Sequence, residues 1–492
     1  MRAPLPWHDP SPGSLPERSA RRHRRTELFL VVPLLAVCAL CLETSADILP
    51  SQALAGPVTL ARVLLALAFV ALILAGARGS DFRTALDPPI AVLVLATAIS
   101  THQHTDGAAL RFLLTAVAFY YLTVGLVRFD PEARAALPLL ALVAVAIPTV
   151  VGLAQLVQHV PTTFYRRGLF GPVDSPTLVP GLRTRAIGTF TNPNLLAAYL
   201  LLLGPFAALP AVTARRRGIQ VVAGSLALLT YAGVLVTFSR AAVLAVLVSA
   251  AVAVLAVLAR RPHGRLLSRA AGPALAITAS GLLVAGLSGV LGRVSGRSEA
   301  FTLATRALDG HLATGVGPRQ AGVAMDALGH DGPSYAHAHD LWLTWLLEAG
   351  VAGFVAIALV TVGGLVAAAR TAAAGSSLGV AGLAALTGFC VMSLVDNPAN
   401  AERVAMSLWL VLGLVMADTR PGWLNPRPAD HRGPAVMGGR AGDETDLAAV
   451  PHVVAAGGRD DHGPSAPPTI PLARRTRGPD ATSDHGRREP YR

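Results

Sequence analysis

The segment Tyr335-Ala-His337-Ala-His339-Asp340 holds the residue types best suited to moving a proton near neutral pH. An imidazole at His339 can take the proton of a hydroxyl and hand it on, as a general base must. His337 and His339 also form an H-x-H pair beside Asp340, with His311 and His330 upstream. A metal site would draw on such a pair. No carboxylate cluster accompanies it, however, and alternate residues point the same way only in an extended strand, so the reading adopted has no metal.

A second group is cationic. Arg185-Ala-Ile-Gly-Thr-Phe-Thr-Asn-Pro-Asn194 runs directly into an apolar stretch, which places Asn192 or Asn194 to cap a helix and Pro193 in its first turn. Arg185 above a capped helix N-terminus makes an anion site. A snorkelling arginine at an ordinary interfacial helix start accounts for the same residues. Farther on come Ser295-Gly296-Arg297-Ser298-Glu299, then Arg306, Gly315-Val-Gly317, and the interfacial residue types Trp342 and Trp345.

The elements that carry these residues are apolar. Of 492 residues, 53% are hydrophobic and only 14% charged, against about 25% charged in a soluble domain. The 41 basic residues are all arginine, and the net charge of +12 sits in short clusters between apolar runs. That is the pattern of cytoplasmic loops on a membrane protein, so nucleic acid is not an expected partner. Cys38, Cys41 and Cys390 lie inside apolar segments, where a redox or zinc site lacks the polar company a thiolate needs. Arg21-Arg22-His23-Arg24-Arg25 precedes the first apolar run with no convincing cleavage site after it, which reads as a retained anchor.

A membrane crossing needs about 20 apolar residues. That length criterion gives twelve candidate spans, at 27–45, 57–77, 86–101, 108–127, 136–158, 194–213, 219–238, 241–259, 270–291, 350–369, 377–395 and 404–418. The fold class expected is all-α and polytopic. With the N-terminus inside, the tight clusters Arg78/Arg83, Arg128/Arg134, Arg215–Arg217 and Arg260/Arg261/Arg265/Arg269, together with Arg370, fall on the inner side, as the positive-inside rule asks. Both termini are then cytoplasmic. Two long loops, 159–193 and 292–340, lie outside and carry arginines against the rule: Arg166, Arg167, Arg183 and Arg185 in the first, Arg293, Arg297, Arg306 and Arg319 in the second. The chain divides into a cytoplasmic segment 1–26, a transmembrane region 27–418 and a tail 419–492. The tail, rich in Pro, Gly, Asp and Arg, has too little apolar surface to fold.

Taken in order, these segments resemble the O-antigen ligase family of bacterial membrane proteins, which includes polysaccharide polymerases. The resemblance covers roughly 185–355. It is carried by Arg185-x-x-Gly-Thr-Phe-x-Asn-Pro-Asn194, Thr237-Phe-Ser239-Arg240-Ala, Arg297 with Gly315-Val-Gly317, and His339-Asp-Leu-Trp-Leu with Glu348-x-Gly350-x-x-Gly353. It implies a metal-independent, cofactor-free glycosyltransferase at the outer face of the plasma membrane. Its donor is an undecaprenyl-diphosphate-linked glycan and its acceptor the hydroxyl of a lipid or glycan. Carried over, His339 activates the acceptor hydroxyl and Arg185 and Arg297 hold the donor diphosphate, with Arg240 and Arg306 as further diphosphate contacts and Asn194, Asp340 and Glu348 in support. The family usually has Asn after the histidine, where this chain has Asp340, a carboxylate able to raise the imidazole pKa or orient the ring. The rival reading is a transporter or flippase of the same lipid-linked oligosaccharide. A transporter favours ionisable residues at mid-membrane depth, and the span interiors hold few, chiefly Arg62 and Arg111 near span ends.

Overall fold

The computed structural model describes residues 30–44, 53–55, 58–104, 107–158, 185–260, 298–329 and 334–419. The expected span 270–291, most of the first outer loop, Arg297, His330, the N-terminal segment and the tail lie outside the described residues.

The described chain is helical apart from one short antiparallel pair, β1 (Ala53–Ala55) with β2 (Val58–Thr59). Helix α1 (Leu30–Thr44) precedes that pair. After it come α2 (Leu60–Ala75), α3 (Gly79–Phe82), α4 (Asp87–His104), α5 (Gly107–Phe129) and α6 (Pro131–Gln158). Then follow α7 (Pro193–Ala207), α8 (Leu209–Thr213), α9 (Arg217–Leu235) and α10 (Arg240–Leu258). Helices α11 (Ser298–Ala307) and α12 (Ala321–Asp326) lead into α13 (Leu341–Ala373), α14 (Ser377–Ser393), a 3-10 turn at Pro398–Asn400 and α15 (Glu402–Ala417). Each expected span that falls on described residues corresponds to a helix, with one difference at 350–369. There the helix begins at Leu341 and carries through a break at Gly350. Among the described residues, six helices are long and apolar enough to cross a membrane. The protein is an all-α membrane protein.

The helices pack by close approach. Lipid is as apolar as leucine, so association depends on van der Waals fit and small residues at the contacts. A Cβ placed on Gly382 of α14 would lie 2.3 Å from Val415 Cγ2 of α15, so this pair meets only because glycine has no side chain. Tyr120, Tyr199, Phe206 and Phe389 fill the centre of the bundle. Leu67, Leu74, Leu95, Leu228, Leu247 and Leu359 point outward, which gives the bundle the apolar exterior a bilayer requires.

The two ends of the bundle differ in chemistry. At one end Arg128 donates to the carbonyls of Asp81, Arg83, Met416 and Thr419, satisfying the open C-terminus of α15 with a cation. Arg134 pairs with Asp418 beside it, and Arg260 donates to the carbonyls of Ala372 and Ser376. At the other end lie the chain entries to α7, α10, α13 and α15. There Phe301, Leu303, Val316, Met325, Ala338, Leu343 and Leu347 form a small second core, which seats α11 and α12 on the first turns of α13.

Candidate active site

The entry to α7 is built from backbone capping upward. Asn192 is the N-cap, its Oδ1 accepting the Asn194 N–H at 2.8 Å with Pro193 in the first turn. Of the two asparagines placed to cap, the structure uses Asn192, because a cap residue must stand extended ahead of the helix. Asn194 is thereby left free to reach sideways. Its Nδ2 donates to Asp396 Oδ2 at 2.7 Å, and its Oδ1 accepts from Arg185 Nη2 at 3.2 Å. Arg185 Nε donates to the Thr237 carbonyl at 2.7 Å, and Ala186 N–H to the Val236 carbonyl, so the arginine is fixed to the end of α9. Gln155 of α6 holds the turn in between, its Oε1 accepting the N–H groups of Ile187 and Gly188 and its Nε2 donating to the Gly188 carbonyl.

The entry to α13 delivers the histidines. Asp340 is its N-cap, with Oδ1 accepting the Leu343 N–H at 2.7 Å. Just before it His339 takes a left-handed backbone, φ 53°, which costs a non-glycine residue about 1–3 kcal/mol and recurs where geometry serves function. The His339 ring stands edge-on to His337 at 4.5 Å and to Tyr335 at 5.9 Å between centroids. His337 Nδ1 accepts the His339 N–H at 3.1 Å. The Tyr335 hydroxyl donates to Glu299 of α11 at 3.0 Å, tying this turn to α11.

The carboxylate that faces His339 is Asp396, at the exit from α14. Its Oδ1 stands 3.6 Å from His339 Nδ1 and accepts the Asn397 N–H at 2.9 Å. At 3.6 Å the pair is beyond ordinary hydrogen-bond reach, and the buried His339 Nδ1 has no hydrogen-bond partner among the described residues. Asp340, the carboxylate expected to orient the ring, instead turns back into its own helix. Burial pushes its carboxyl up to about 7 against the opposing pull of the Leu343 and Trp342 N–H groups. A cap carboxylate satisfies the orphan N–H groups of the first turn, so sequence adjacency did not give it the imidazole. Ligand atoms of His337, His339 and Asp396 lie within 4.8 Å of one another, the one group among the described residues with metal-competent donors so close. His337 Nδ1 is already engaged by the His339 N–H.

The remaining expected residues are dispersed. Glu348 has a structural place: its carboxylate accepts the Arg319 and Ala321 N–H groups, and its carbonyl accepts from Gly317 N–H and Ser100 Oγ. The Gly315-Val-Gly317 turn lies flat on the α13 break, where a Cβ on Gly315 would meet Glu348 O at 2.4 Å. Arg240 is exposed in the first turn of α10, behind the N-cap Ser239. It shares with Arg185 only the Thr237–Arg240 corner. Arg306 is exposed on α11, and among the described residues no contact brings it to His339. Arg297 lies outside the described residues.

Two residues at this end escaped the sequence reading. Asp396 follows a long run free of charge, and the buried Asp396-Asn397-Pro398 turn was its signal. Arg403, in the first turn of α15, donates to the Thr189 carbonyl at 2.6 Å and lies 5.3 Å over the Phe190 ring. It adds a second guanidinium to the Arg185–Asn194 loop. A scan against protein-family models and a search of curated proteins both return no match.

Proposed function

We propose that this protein is a glycosyltransferase of the O-antigen ligase type. It passes glycan from an undecaprenyl-diphosphate donor to a hydroxyl on the outer face of a bacterial plasma membrane. The observation that carries this reading is the continuous chain Arg185–Asn194–Asp396–His339. It links a guanidinium, through Asn194, to a carboxylate-backed imidazole at one end of a membrane bundle.

The chemistry follows from the two ends of that chain. The leaving group is a diphosphate whose negative charge grows as the glycosidic C–O bond breaks. A fixed guanidinium offers it forked donors in a partly dehydrated site, with no metal in the scheme. The incoming hydroxyl is a poor nucleophile until its proton is taken. His339, with Nδ1 turned to Asp396, presents Nε2 to that hydroxyl. As the new glycosidic bond forms, the proton moves to Nε2 and the lipid diphosphate departs with the bonding pair. The adjacent Asp396 carboxylate stabilises the imidazolium so formed. On the twelve-span reading with both termini cytoplasmic this end faces outside, and Arg297 of the second loop is a further donor contact.

The test is transfer by purified protein in liposomes. His339→Ala is expected to lower turnover by roughly 10²–10⁴-fold while lipid-diphosphate binding persists, because proton removal belongs to the transition state. Arg185→Ala is expected to lose binding and turnover together. Reporters fused after residue 175 and near 325 should read as extracytoplasmic, and those near 216 and 264 as cytoplasmic. Full transfer by His339→Ala, or reversal of either loop, removes the proposal.

A further inference from the structure

A groove that opens to solvent is bounded by α4, α5, α13, α15 and the Pro398–Asn400 turn, and Leu341, two residues after His339, lines it. Three flat rings, Phe112, Trp345 and Trp409, contribute to its wall, and Arg319, Asn397 and Asn400 supply polar groups. Asn397 directly follows Asp396, so the polar part of the groove adjoins the carboxylate that faces His339.

The polar groups select the ligand chemistry. Asn397 is 5% exposed, and its Oδ1 is buried with no donor among the described residues. Such an orphan acceptor is destabilising unless a ligand or water supplies a proton. A phosphate or diphosphate brings only acceptors and would leave it unmet. Arg319 is the one cation among the lining residues and lies 5.8 Å over Phe112. Glu348 also lines the groove, with its carboxylate turned to the Arg319 and Ala321 N–H groups. Hydroxyls donate as well as accept, and the C–H face of a sugar ring packs against indole and phenyl planes.

We infer that this groove is the subsite for the receiving glycan: it takes a neutral pyranose whose hydroxyl donates to Asn397 and whose ring lies against the aromatic wall. The assignment rests on the transfer reading and adds the substrate class on the acceptor side. The donor diphosphate keeps to Arg185, across the Asn194–Asp396 link, and the two substrates meet at His339 from different sides.

The experiment uses full-length protein in detergent with three probes: a panel of methyl pyranosides, inorganic pyrophosphate and undecaprenyl diphosphate, the first two followed by saturation-transfer NMR. At least one methyl pyranoside is expected to bind saturably, and Asn397→Leu and Trp345→Ala should weaken it roughly tenfold or more with undecaprenyl-diphosphate affinity unchanged. Trp345→Phe, which keeps a flat ring, should retain most of the affinity and controls for folding. No saturable pyranoside binding to the wild type overturns the assignment, as does pyrophosphate binding that Arg319→Ala or Trp345→Ala removes. Pyranoside binding without any glycan transfer leaves the groove standing and removes the transferase reading. Transfer that depends on His339 but ignores both groove substitutions does the reverse.

Discussion

His339 Nδ1 and Asp396 Oδ1 stand 3.6 Å apart, on turns that open α13 and close α14. Asn194 holds the other carboxylate oxygen at 2.7 Å, so the orientation of Asp396 is set from α7. An acid held by one helix and presented to a histidine on another acts as a positioning group. Asp396→Asn should therefore lower kcat for transfer by roughly 10²-fold, with donor binding unchanged. Asp396→Glu should recover part of the rate. A kcat equal to wild type in Asp396→Asn would show that His339 does not depend on this carboxylate.

Arg185 uses its fork in two directions, toward the Thr237 carbonyl and toward Asn194. Lysine keeps the charge and loses the planar donor set. Arg185→Lys is expected to restore donor affinity only partly relative to Arg185→Ala, measured by titration with undecaprenyl diphosphate. Complete rescue by lysine would reduce the role of Arg185 to its charge.

Asp340 carries a pH signature. Burial raises its carboxyl from 3.8 to about 7 in the folded chain. The folded state therefore holds a proton that the unfolded state releases near pH 4, and this contribution is complete below pH 4 and lost as pH climbs through about 7. The melting temperature in detergent should fall across that window. Asp340→Asn, which preserves the N-cap acceptor, should flatten the fall and leave the protein folded. An unchanged slope in Asp340→Asn would assign the pH dependence to other groups.

Gly350 breaks α13 with φ 67°, and a Cβ there would stand 2.4 Å from the Ala313 carbonyl oxygen. Gly350→Ala combines a left-handed backbone with a backbone clash, for a cost of about 2–4 kcal/mol. The predicted readouts are a lower melting temperature and a weakened Gly315–Gly317 turn, seen as faster proteolysis of the 310–330 segment. Gly375, also with positive φ but with open space around its Cβ, provides the milder comparison.

The sequence by itself determined that this chain is a bundle of apolar helices, because spans of about 20 apolar residues and arginine-rich connections are written locally, residue by residue. It also placed Asn192 or Asn194 to cap α7 and set His337 and His339 where a polar run meets an apolar one; that Asn192 is the cap, that His339 is left-handed and that Asp340 caps α13 came only with the fold. The partner of each of these side chains was decided only in three dimensions. Asp340 adjoins His339 in the chain and yet serves its own helix, whose first-turn N–H groups lie within reach. Asp396 reaches the imidazole from a helix end far along the chain. Glu348, Gly315 and Gly350 form one junction for the same kind of reason, since the hydrogen bonds of a broken helix must be met by whatever backbone packs against it. Hydropathy and capping act over a few residues and leave their pattern in the sequence, whereas the meeting of α7, α13 and α14 depends on how helices fit side by side.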